Sequence, residues 1–428
     1  MLDLNLIHDN TEYVVNGLKK KGWNVDFSET IAHMDERKKL IIETENLKAE
    51  KNKLSASVPQ VKKAGGDIQA IFNQVKEINA KIEVLDKQLA EIENKINTFV
   101  AALPNLPDDD LLAGEKENNQ AIYYYKEKPV FDFKIKDHVE LCESLGLIDY
   151  ERAAKVSGRG TWFYTDLGAR LEWALLNYFI TTHIADGYTF MLPPHMLNYE
   201  SGFTAGQFPK FEEDVFWVNG EEKKNGKFIL PTAETALVNY HRNEILAEKD
   251  LPKKYFAYTP CYRCEAGSYR TEERGMIRGY QFNKVEMFQY TTEKDSDKAF
   301  EELVRKAEKL VEGLGIHFRT SKLAAGDCSH SMARTSDIEV WIPSMGVYKE
   351  CSSASNARSY QARRGNMRYR DAETGKTKFL HTLNASGLAT SRLIPALVEQ
   401  YQQADGSVKI PDVLVPFMGG ITVLTKQK

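Results

Sequence analysis

Over the first hundred residues the apolar positions recur with helical spacing. Leu40, Leu47, Leu54 and Val61 stand seven residues apart. After Gly65-Gly66 a second series runs through Ile71, Val75, Ile78, Ile82, Leu85, Leu89, Ile92, Ile96 and Phe99, its steps alternating four and three. Such alternation keeps one apolar stripe facing a partner helix, the seam of a coiled coil. The first series is the weaker, because Thr44 and Lys51 stand at alternate seam positions. Two series joined by a Gly-Gly turn predict an antiparallel helical hairpin over about 28–100. Helices of roughly 30 residues are about 45 Å long, too long to be buried lengthwise in a compact domain. A projecting arm is therefore expected; a dimerisation coiled coil, or a helix pair lying on the body, fits the same pattern.

Pro104-Asn105-Leu106-Pro107 and the acidic run Asp108–Asp110 end the helical pattern. Proline and its preceding residue resist helix, so 104–114 reads as a linker. It separates an N-terminal helical domain, 1–103, from a second domain, 115–428. There the pattern is mixed. Lys254–Thr259, Gln281–Tyr290 and Ile338–Ile342 suit strands, while Leu167–His183 and Ser296–Leu314 suit helices. The expected fold class is α+β, built around a largely antiparallel sheet.

Charge changes this picture locally. The chain of 428 residues has a formal net charge of −4, which gives no global attraction to nucleic acid. Yet Arg37–Lys63 holds 8 basic and 3 acidic residues, a net +5. A charged helix face is often only solvated, but a basic arm on an acidic chain points to a polyanionic partner. The start carries Asp3 and Asp9 and no basic–apolar leader, and no apolar run reaches membrane length. The five cysteines are sparse and odd in number, as expected of reduced thiols in a cytoplasmic protein. Cys261-x-x-Cys264 lacks a nearby second pair, so two strand thiols are favoured over a zinc site.

Three segments can carry chemistry. Tyr262–Phe288 reads as two strands joined by a polar loop with Arg270, Arg274 and Arg278. There Arg263 can pair with a phosphate, Phe282 can stack a base and Glu286 can hold an ammonium; an ordinary hairpin with surface arginines fits equally. Lys349–Ser353 sets Glu350 three residues before Ser353, two hard oxygen donors suited to Mg²⁺. Asn384–Arg392 is rich in small residues and enters an apolar helix, Leu393–Tyr401, so Arg392 can face a phosphate or merely solvent. Arg363, Arg364, Arg368 and Arg370 form a further basic cluster, suited to RNA or to water.

Taken in order, these segments resemble the class II aminoacyl-tRNA synthetases, specifically the bacterial-type seryl-tRNA synthetases. The resemblance covers nearly the whole chain. It adds Met1-Leu2-Asp3-Leu4, Thr44–Asn52, Gly206–Glu212 (the family's GQ-PKFEED segment) and Pro231-Thr232-Ala233-Glu234 to the segments above. It implies a class II catalytic domain on an antiparallel sheet, with an N-terminal coiled-coil arm that grips tRNA(Ser). It implies ATP-dependent ligation of L-serine to that tRNA through a seryl-adenylate, with Mg²⁺, in a homodimer. By resemblance, Arg263 and Arg392 are the catalytic arginines of motifs 2 and 3. The ATP contacts are Arg263, Cys264, Glu265, Phe282, Glu350, Cys351, Ser352, Ser353 and Arg392. The serine contacts are Thr232, Ala233, Glu234, Glu286 and Ser386; Glu350 and Ser353 hold the metal. Pro194 matches the motif 1 proline of the dimer interface.

Some positions depart from the family pattern. Cys264 stands where Ser is usual, Gly279-Tyr280 where Val-His is, and Arg334–Glu339 where Lys-Thr-Tyr-Asp-Leu-Glu is. Ala354–Tyr360 also differs, as does the Ser329–Met332 neighbourhood. These leave open a specialised paralogue, serving inhibitor resistance or a biosynthetic pathway, and a non-catalytic RNA-binding homologue.

Overall fold

The computed structural model describes residues 1–218, 223–264 and 275–426. They fall into two compact units. One comprises residues 2–18 and 23–103; the other comprises Met1, 19–22 and 104–428.

The first unit is dominated by two long helices, α1 (Ser28–Lys63) and α2 (Ile68–Ala102). Gly65 turns the chain with a φ of 71°, a left-handed conformation that costs glycine little. Asp67 then caps α2 by accepting from the Ala70 N–H at 3.1 Å. Ile78, Ile82, Ile92 and Ile96 of α2 are buried, as the four–three spacing predicts, and so is Leu40 of α1. Thr44 is buried in the same seam, its Oγ1 without a hydrogen-bond partner. Arg37–Glu93 (2.8 Å) and Lys48–Asp86 (3.7 Å) tie the helices across their flank. Lys38, Lys39, Lys53, Lys62 and Lys63 stay exposed, so the basic face of α1 points to solvent.

The second unit is built on an eight-stranded sheet. Its strands are β1 (Gln120–Tyr125), β2 (Thr189–Met191), β3 (Lys253–Tyr262), β4 (Gln281–Thr291), β5 (Phe318–Lys322), β6 (Arg334–Ile342), β7 (Val347–Asn356) and β8 (His381–Ala389). They lie in the order β1-β5-β6-β7-β8-β4-β3-β2. Every pairing is antiparallel except that of β2 with β3. Three helices pack with this sheet: α3 (Asp166–Ala185), α4 (Ser296–Leu314) and α5 (Thr390–Tyr401). On α4, Ala299, Phe300, Leu303, Ala307, Leu310, Val311 and Leu314 are buried, the stripe of an amphipathic helix. They join Leu175 and Phe179 of α3, Met287 of β4, Val340 of β6 and Leu397 of α5 in one core. A second cluster gathers Phe208, Phe228, Phe288 and Tyr290.

The stretch expected as a linker is hydrogen-bonded into this unit. Asn105 Nδ2 donates to the carbonyls of Ser331 (3.0 Å) and Ala357 (2.8 Å). Asp108 accepts from Arg334 and Arg358, each at 2.7 Å. No helix among the described residues is long and apolar enough to cross a membrane.

Candidate active site

Strand alternation builds the floor of a cavity of about 560 Å³. Phe282, Lys284 and Glu286 are spaced by two on β4, so all three face it. Asn384 and Ser386 of β8 and Thr335 and Asp337 of β6 follow the same rule. Strand β7 does not. Glu350 and Ser353 are an odd number apart and in a regular strand would face opposite sides. The β6–β7 ladder pairs Ile338 with Ser352 but Glu339 with Glu350, so Cys351 is an extra residue. This bulge resets the alternation. Glu350 and Cys351 both line the cavity, and Ser353 and Ser355 follow in phase.

Arg263, Glu286, Glu350 and Arg392, named from three separate segments of the sequence, reach this one cavity. Arg263, just beyond β3, lies with its guanidinium carbon 5.2 Å from the Phe282 ring centroid. Its Nε faces the Pro231 carbonyl at 3.4 Å. Arg392, in the first turn of α5, donates from Nη1 to the Glu350 carbonyl (3.1 Å) and carboxylate (3.3 Å), and from Nε to the Ile277 carbonyl (3.2 Å). Glu286 is fully buried.

Lys284 sits beside Glu286, with Nζ 2.6 Å from Oε2 and 2.8 Å from Thr232 Oγ1. Burial opposes the lysine's charge, but Glu286 outweighs it and holds the ammonium above its ordinary pKa. Asn384 donates to Glu286 at 2.9 Å, and Ser386 Oγ lies 3.4 Å from the same carboxylate. Glu234 is the second acid here, bonded by Gln361 at 2.8 Å. Burial, then the charge of Glu286, pushes it up to about 7.

A further acidic pair lies at β6 and β7. Asp337 stands opposite Ser353 in the ladder. Burial and the charge of Glu350 drive its carboxyl well above the usual range. Two repelling carboxylates beside a hydroxyl are a hard oxygen set that a divalent cation would relieve.

Of the other predicted site residues, Thr232, Glu234, Cys351 and Ser386 also line the cavity. Ala233 is packed in the second core cluster instead. Ser352 is buried, its Oγ donating to the Ser386 carbonyl at 2.5 Å. Cys264 is partly buried, and its N–H donates to the carbonyl of the lining residue Asp214 at 3.1 Å. Glu265, Arg270 and Arg274 lie outside the described residues.

Two family models match the sequence. The seryl-tRNA synthetase N-terminal domain matches residues 1–107, and the class II tRNA synthetase core domain (G, H, P, S and T) matches 216–401. A serine–tRNA ligase 2 of Clostridium acetobutylicum is 61% identical over 421 residues, covering 98% of this chain and 99% of the relative. The chain belongs to the seryl-tRNA synthetases. The seryl-tRNA synthetase of Pyrococcus horikoshii, solved with ATP, superposes with a TM-score of 0.88 at 33% identity, with both chains covered fully. The cytoplasmic serine–tRNA ligase of Naegleria fowleri, solved with AMP, shares the fold at a TM-score of 0.87 and 24% identity, covering 100% of this chain and 99% of that one.

Within this synthetase the sequence reading missed Lys284, Asn384, Asp337 and Gln361. Lys284 and Asn384 were findable, since each stands two residues from a named site residue on a strand. Asp337 shows itself only through the β6–β7 register, and Gln361 only through its bond to Glu234. The basic cluster is dispersed. Arg364 is buried and bonded to the carbonyls of Phe203 and Phe208 (both 3.1 Å), Arg363 stacks on Phe379 (4.5 Å), and Arg370 is exposed.

Proposed function

We propose that this chain activates L-serine with ATP and transfers the seryl group to tRNA(Ser), with the cavity described above as the active site. The convergence of Arg263, Arg392, Glu286 and Glu350 on it is the observation that carries this reading. The ATP complex of the Pyrococcus relative supports the choice of nucleotide.

The buried Glu286, paired with Lys284, receives the serine ammonium. Thr232, Glu234 and Ser386 complete the serine pocket, with Asn384 orienting Glu286. Phe282 stacks on adenine, and Arg263, 5.2 Å from that ring's centroid, meets the α-phosphate. Glu265 is the adenine-side contact implied by the family pattern. Arg392 meets the terminal phosphate from the start of α5. Serine's carboxylate then attacks the α-phosphorus, and pyrophosphate leaves. In the second step the tRNA's terminal 3′-hydroxyl takes the seryl group from AMP. Positioning and charge stabilisation by fixed cations supply most of the catalysis.

Glu350 and Ser353 are the residues that would hold Mg²⁺, with Asp337 alongside. A divalent ion bound there would neutralise charge on the nucleotide phosphates. Residues 1–103 form the tRNA-binding arm, with the exposed lysines of α1 meeting the RNA backbone. The enzyme works as a cytoplasmic homodimer. Exposed Leu192 and Met196, on either side of Pro194, support a covered face there.

Serine-dependent ATP–pyrophosphate exchange tests the reading. Exchange that requires serine and is not driven by threonine is expected. Folded protein without exchange removes the proposal.

A further inference from the structure

Glu172 of α3 lies behind the cavity floor, nearly fully buried. Its Oε1 accepts from Asn283 Nδ2 and from Thr390 Oγ1, each at 2.7 Å. Asn283 stands on β4 between Phe282 and Lys284, and its Oδ1 also accepts from Tyr258 at 3.2 Å. Thr390 opens α5, two residues before Arg392. One carboxylate oxygen thus joins the strand that bears the base-stacking ring to the helix that bears the phosphate arginine, beside a direct bond from Thr390 Oγ1 to the Asn283 carbonyl (3.2 Å) and the Lys284–Ala389 pair of the ladder.

Stability alone gives no reason for an acid here. No cation pairs with Glu172 among the described residues; beside Asn283 and Thr390, only the neutral hydroxyl of Tyr164 bonds its carboxyl. The titratable groups that face it are the hydroxyls of Tyr164 and Tyr258. Burial raises Glu172 to about 7, with the bonds from Thr390, Asn283 and Tyr164 working against it. A buried acid without a counterion is costly and tends to be kept for function.

We infer that Glu172 is a positioning residue that fixes the distance between Phe282 and Arg392, and so the span open to a nucleoside triphosphate. The serine pocket does not depend on this link. Glu286 is paired directly with Ser386 in the β4–β8 ladder, so the two move as one piece. The inference rests on the reading of Phe282 and Arg392 as ATP contacts.

The test measures KM for ATP and for serine in exchange assays on Glu172→Leu, Glu172→Gln and Thr390→Val. Leucine removes the acceptor at similar volume. Glutamine keeps an oxygen for both donors. Valine removes the Thr390 donor and carries the test if the leucine variant does not fold. Glu172→Leu and Thr390→Val should raise the ATP KM about tenfold and change the serine KM less than twofold, while Glu172→Gln stays within threefold of wild type for both. Equal shifts in the two KM values, an unchanged ATP KM in folded Glu172→Leu or Thr390→Val, or a glutamine variant as impaired as the leucine one would overturn the inference. Wild-type protein that shows no ATP-dependent exchange would remove the underlying ATP reading as well.

Discussion

Lys284 Nζ lies 2.6 Å from Glu286 Oε2, and both side chains are buried beneath the cavity. The two opposite charges offset each other. Losing one member of such a pair leaves an uncompensated buried charge, which costs about 3–5 kcal/mol. Lys284→Met should therefore lower stability by about that amount. It should also raise the serine KM by roughly 100-fold, because Glu286 loses the partner that holds its carboxylate in place. Thermal denaturation and a serine titration of exchange check the two parts. A variant with wild-type serine KM would show that Lys284 is dispensable to the pocket.

Arg392 should act on chemistry more than on serine binding. Arg392→Ala removes a cation from the phosphate end and frees Glu350 of its partner. Losing one fixed donor of this kind typically costs about 10²–10³-fold in kcat. The exchange kcat should fall by that factor, with the serine KM within about threefold of wild type. The companion Glu350→Ala variant should combine with it less than additively, since the two side chains touch.

Serine binding should depend on pH through Glu234. Its carboxyl is raised to about 7 by burial and then by Glu286. Below that pH it is largely protonated and offers the serine ammonium no charge; above, it is ionised. The serine KM should fall as pH rises from 6 to 8 and level off beyond. Glu234→Gln should flatten this profile. A slope that survives in the glutamine variant would assign it to another group.

The helical hairpin offers a stability test away from the site. Thr44 Oγ1 is buried in the seam without a hydrogen-bond partner. Thr44→Val keeps the shape and removes the unsatisfied hydroxyl. A gain of about 1 kcal/mol is expected, read as a rise in the midpoint of the helix-monitored melt. A lower midpoint would mean that the hydroxyl has a partner in solution.

Periodicity made the hairpin legible residue by residue, because a coiled-coil seam is a local pattern with a long run. Ile78, Ile82, Ile92 and Ile96 are buried as their spacing requires, with Leu85 and Leu89 half-buried between them. Helix Ser296–Leu314 has the expected bounds, and strands Lys253–Tyr262 and Gln281–Thr291 and helix Asp166–Ala185 extend the expected segments by only a few residues. What could not be read is what depends on pairing between distant strands. Asp337 faces the cavity because β6 and β7 meet in one register, and no residue near it in sequence signals that. Ala233 and Ser352 sit within matching motifs yet point into packed interior, since a motif names neighbours without saying which way each side chain turns.

The extra residue at Cys351 has a consequence for how this enzyme can change. It divides β7 into two halves whose inward and outward positions are out of step. Removing that one residue would turn Glu350 away while leaving every other amino acid that lines the pocket still encoded. Catalytic competence here is thus guarded by chain length as well as by composition, and a single-codon deletion should silence the enzyme more completely than most substitutions in the same strand.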